Sequence, residues 1–131
     1  MRGDIRGNYT LDIRQSIDFD IVAKLIKTCE SEHGSTCGQK WHAVKNPDRF
    51  PLVDVNRMCL VPIDQSDIDY ITLSYVWVQD HRFTTTRQNF KDLLVAGALD
   101  HVGLCQVIQD TIAIARALTI AFLWVDTLCI I

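Results

Sequence analysis

Leu104, Val107, Ile108, Thr111, Ile112, Ala115 and Leu118 recur with a period of 3.6 residues, and the helix they define lies between two apolar runs. In the first run Ile71, Leu73 and Tyr75 alternate with Thr72, Ser74 and Val76, which reads as a strand. The second, Ile120–Val125, is apolar on both faces and reads as a buried strand. Strand, helix, strand is a crossover, and crossovers join parallel neighbours in one sheet with a right-handed sense. The pattern predicts an α/β fold with a small, mostly parallel sheet flanked by helices. Burying the five large aliphatics of the helix contributes roughly 1.5–3 kcal/mol each before entropy, so it should dock firmly.

The upstream half reads as an attachment to that unit. Residues 1–15 lack a clear period. From Asp18 to His33, Phe19, Ile21, Val22, Leu25, Ile26 and Cys29 suit one face of a helix, with Asp18 and Asp20 favouring its start and Gly34 its end. Residues 34–49 are loop-like, with Pro47 holding its neighbour extended. Phe50–Val55 and Arg57–Val61 read as two short strands of a hairpin joined near Asn56. Beyond the polar stretch 79–86, Thr86 is placed to cap a short helix over 87–96 that buries Phe90, Leu93 and Leu94. The expected organisation is an N-terminal helix, loop and hairpin over 1–69, followed by a second unit over 70–131.

Composition removes several function classes. The chain has 131 residues, 48% of them apolar and 22% charged, which is globular rather than disordered. Its 13 basic and 16 acidic side chains give a net charge of −3 with no basic run, so no nucleic-acid partner is expected. The first residues carry charge and no apolar core, unlike a secretory signal. The apolar region 112–131 is interrupted by Arg116, Thr119, Asp126 and Thr127, which argues against a membrane span. Five cysteines without a signal suit reduced thiols in the cytoplasm. Of these, Cys59, Cys105 and Cys129 sit in apolar runs, as inert buried thiols do.

Four segments, in order, resemble the fungal heterokaryon incompatibility (HET) domain. They are Leu73-Ser-Tyr-Val-Trp77, Thr84-Thr-Thr-Arg-Gln-Asn-Phe90, Ile108-Gln-Asp-Thr-Ile-Ala-Ile-Ala-Arg116 and Leu123-Trp-Val-Asp-Thr-Leu-Cys-Ile-Ile131. Fainter similarity upstream takes in Cys29, His33, Cys37 and Arg49-Phe-Pro-Leu-Val-Asp-Val55. Three departures stand out: Val78 replaces the family's glycine after the tryptophan, Cys105 replaces its proline before the long helix, and the Gln-Asp that follows Cys-Ile-Ile is absent. The resemblance implies the N-terminal half of a HET domain, cut short, in a protein of fungal non-self recognition that signals programmed cell death. Protein partners or self-association go with such a role. A non-functional, truncated remnant is a further reading. The HET fold has been likened to Toll/interleukin-1 receptor (TIR) domains, some of which hydrolyse NAD. That analogy implies a nucleotide-binding or NAD-cleaving alternative, for which no catalytic residue can be named: Glu30 and Glu32 both lie outside the matched region.

Two constellations could carry chemistry. In an open α/β sheet ligands gather at the carboxyl ends of the strands, so Trp77 and Asp126 would share a rim where an aromatic face beside a carboxylate could hold a base or a ribose. Against this stands the reading of Tyr75, Trp77 and Trp124 as core aromatics and of Asp126 as the cap of the next turn. The second is Cys29-x3-His33-x3-Cys37 with His42, thiolate and imidazole groups suited to Zn²⁺. Its spacing is not that of a standard zinc finger, and a half-buried thiol beside a histidine at a helix end explains it as well. No cofactor is assigned on this basis. NAD and Zn²⁺ are the two the residues could accept, and His81 and His101 have no nucleophile motif beside them.

Overall fold

A computed structural model describes residues 17–34, 36, 50–63, 68–76 and 83–131. The expected N-terminal arm, most of the loop 34–49 and residues 79–82 of the stretch 79–86 lie outside that set. Helix α1 (Phe19–Glu32) starts where Asp18 caps it: Oδ1 accepts from the Asp20 and Ile21 N–H groups at 3.1 and 3.3 Å. It ends at His33, followed by Gly34 in the left-handed region at φ 48°, the usual place for a glycine just past a helix. None of its residues is buried.

Strands β1 (Phe50–Asp54) and β2 (Cys59–Ile63) form the expected hairpin, with residues 55–58 as its turn. Asp54 organises that turn, its Oδ1 accepting from the Asn56 and Arg57 N–H groups at 3.0 and 2.9 Å. Strand β3 (Tyr70–Leu73) follows, then a one-turn helix α2 (Phe90–Leu93), a 3₁₀ turn (Ala98–His101) and helix α3 (Gln106–Ala117). Strand β4 (Phe122–Val125) runs directly into the short helix α4 (Asp126–Cys129).

The sheet order is β2-β1-β4-β3. β3 and β4 are parallel, Tyr70 opposite Phe122 through Leu73 opposite Val125, as the crossover pattern requires. The expectation of a mostly parallel sheet is overturned, because β1 pairs antiparallel with both β2 and β4. The reason lies in the hairpin. A short turn can only join antiparallel strands, and β1 then uses its second edge to cover the side of β4 that β3 leaves open. The β1–β4 ladder is short, Val53 with Leu123 and Asp54 with Phe122. Pro51 has no N–H to extend it, and β4 turns away into α4 after Val125.

One core runs through the hairpin and the crossover alike: Val53, Val55 and Leu60 from the hairpin, Leu93, Leu99 and Leu104 from the connection, Ile108, Ile112 and Ala115 from α3, and Leu123, Val125 and Leu128 from β4 and α4. Backbone bonds tie the hairpin turn to the later segments. The Val55 N–H donates to the Ala121 carbonyl at 3.0 Å, Gly97 to Arg57 at 2.8 Å and Leu99 to Met58 at 2.9 Å. Gly97, at φ 83°, makes the bend that ends the α2 region, so the helix expected over 87–96 is confined to one turn. Arg116 donates from Nε to the Val55 carbonyl at 2.7 Å, and from Nη2 to the same oxygen.

Helix α3 presents Ile108, Thr111, Ile112 and Ala115 inward, close to the predicted face, while Val107 at its margin stays exposed. It closes with a Schellman arrangement: Ile120 N–H to the Ala115 carbonyl at 2.9 Å and Thr119 N–H to Arg116 at 3.0 Å. Thr119 holds φ 58°, a conformation a β-branched residue adopts only under constraint. Among the described residues no helix is long and apolar enough to cross a membrane.

Candidate functional site

Parallel pairing of β3 and β4 brings the residues that follow them to one rim, and there three separate segments meet on Thr127. The Tyr75 hydroxyl, just past β3, lies 3.4 Å from Thr127 Oγ1. From the 83–89 segment, the Thr85 N–H donates to the Thr127 carbonyl at 2.9 Å, and Thr85 Oγ1 donates to the Leu128 carbonyl at 2.7 Å. Both threonines are buried. Buried hydroxyls persist where their hydrogen bonds are satisfied, and here each bond joins segments far apart in sequence.

The flanking threonines do different work. Thr86 and Asn89 bond reciprocally, Thr86 N–H to Asn89 Oδ1 at 2.8 Å and Asn89 N–H to Thr86 Oγ1 at 3.4 Å, while Asn89 Nδ2 donates to the Thr84 carbonyl at 3.0 Å. This is a capping-box pattern with asparagine in the distal place, and it sets up the Phe90 N–H to Thr86 carbonyl bond that opens α2. Thr86 was expected to cap the helix over 87–96; instead its bonds with Asn89 close the turn ahead of α2, whose N-cap is Asn89 with no side-chain cap bond. The burial of Thr85 was invisible in the sequence, because three consecutive threonines differ only in what folds over them.

Asp126 stands at the rim, half-buried, as the parallel arrangement requires. Its Oδ1 accepts from the Thr127 N–H at 2.7 Å, and its carbonyl accepts from the Ile130 N–H at 3.0 Å, so it is built into the turn that follows β4. Trp77, its proposed companion, lies outside the described residues, as do Val78 and His81. Burial pushes the Tyr75 phenol up, and the Asp126 carboxylate acts in the same direction.

Beneath the rim Cys129 is 5 % exposed. Its Sγ receives the Val125 N–H at 3.5 Å and points at the Leu123 carbonyl at 3.9 Å, and burial pushes its thiol up to about 11. Cys59 is fully buried and shifted up for the same reason. Both match the inert thiols expected of them, while Cys105 is only half-buried.

Of the candidate metal ligands, Cys29 and His33 are together on α1, with Sγ and Nδ1 3.3 Å apart. Cys37 and His42 fall outside the described residues. Among the described residues no three His, Cys, Asp or Glu side chains cluster as a metal site.

The rim is thus a knot of hydroxyl and backbone bonds holding together an α/β protein with a mixed four-stranded sheet. Residues 70–131, from the first residue of β3 to Ile131, match the family model described as "Heterokaryon incompatibility protein (HET)". Over that segment, a little under half of its length, the chain is similar to the HET family. No curated protein and no solved structure gives a match.

Replacing Thr85 by valine keeps the shape and removes the Oγ1 bond, leaving the Leu128 carbonyl without that donor. The expected cost is about 1–3 kcal/mol in urea unfolding. Thr84→Val, at an exposed position, should stay within about 0.5 kcal/mol. Equal effects at the two positions would show that the Thr85 bonds do not hold the rim.

Proposed function

We propose that the chain acts as a signalling and interaction module of the HET type, in the cytoplasm of a fungal cell, where contact with a non-self partner leads to programmed cell death. The observation that carries this reading is the family match over 70–131. The way three of the matched segments close on Thr127 supports it, since segments knitted around buried hydroxyls suit a shaped surface better than an open cleft. The role needs protein partners and no turnover.

The TIR-like alternative places a nucleotide at the rim, with Asp126 against a ribose. Asp126 already spends one carboxylate oxygen on the Thr127 N–H, which favours the structural part for it. One pair of experiments separates the readings. Induced expression in a filamentous fungus should arrest growth and admit a vital dye, and the purified chain should release no nicotinamide from NAD. Nicotinamide release that disappears in Asp126→Ala would replace the interaction reading with the enzymatic one. Absence of any cell-death response across diverse fungal backgrounds, with no turnover, would leave neither standing and favour a remnant.

A further inference from the structure

We draw no further inference here: the strongest candidate, the outer edge of β3 at the end of the sheet, where Tyr70 and the neighbouring Val76 are exposed, carries nothing because nothing in the structure shows what covers it.

Discussion

Leu123→Ala is expected to destabilise the protein by about 3–5 kcal/mol, the upper part of the range for deleting a buried leucine. Leu123 is the midpoint of the sheet: it pairs with Val53 of the hairpin on one side and with Ile71 of β3 on the other. It is fully buried, and the strands on both sides constrain the backbone from closing over the space left behind. Domains of this size are stable by about 5–15 kcal/mol in all, so the variant should lose a large share of its stability. Urea denaturation followed by tryptophan fluorescence measures the loss. Val107→Ala, at the exposed margin of α3, serves as the reference and should cost less than about 1 kcal/mol. Similar costs at the two positions would mean that β4 is not the central strand that joins hairpin to crossover.

The second large effect is alkaline destabilisation through Cys129. Burial pushes its thiol up to about 11 in the folded chain, against the ordinary cysteine value of 9.0 when unfolded. Below pH 9 both states hold the proton and the group is neutral to folding. Between 9 and 11 the unfolded chain gives up its proton while the folded chain keeps it, so stability falls as pH rises, by about 3 kcal/mol at full extent. Cys59 and Tyr75 are shifted in the same direction and steepen the decline. Cys129→Ala should therefore flatten the dependence of unfolding free energy on pH across this window without abolishing it. A slope unchanged by the substitution would show that Cys129 titrates normally. Alkylation offers a parallel check: Cys129 should resist iodoacetamide at pH 8 in the native protein and react once urea unfolds it.

Much of this architecture was legible because its determinants are local. The α3 face follows from the spacing of Ile108, Thr111, Ile112 and Ala115, the Asp18 cap from an acid just before an apolar period, and the hairpin from two short runs around Asn56. The parallel relation of β3 and β4 follows from the long helical connection between them. What could not be read was how the hairpin joins. Leu52, Val53 and Val55 are buried in a run apolar on both faces, and such a run says that a strand is covered without naming its neighbour or direction. The same limit hid the site's central contact. Asp126 could be placed at the rim from strand direction alone, but the Thr85 bonds to Thr127 and Leu128 span more than forty residues and leave no periodic trace. The pairing of Cys29 with His33 was recognisable, because i and i+4 on one helix is a local relation.

The bond from Arg116 to the Val55 carbonyl also constrains the order of events during synthesis. The hairpin leaves the ribosome early and can close on its own turn, yet the guanidinium that caps its Val55 oxygen is 61 residues further along the chain. Ala121, which receives the Val55 N–H, arrives later still. Until both emerge, β1 presents a bare edge to its surroundings, the kind of edge that nascent chains pair wrongly. For this protein the vulnerable interval is the translation of the crossover itself, and slowing the ribosome there would lengthen the time for which a chaperone must stand in for β4.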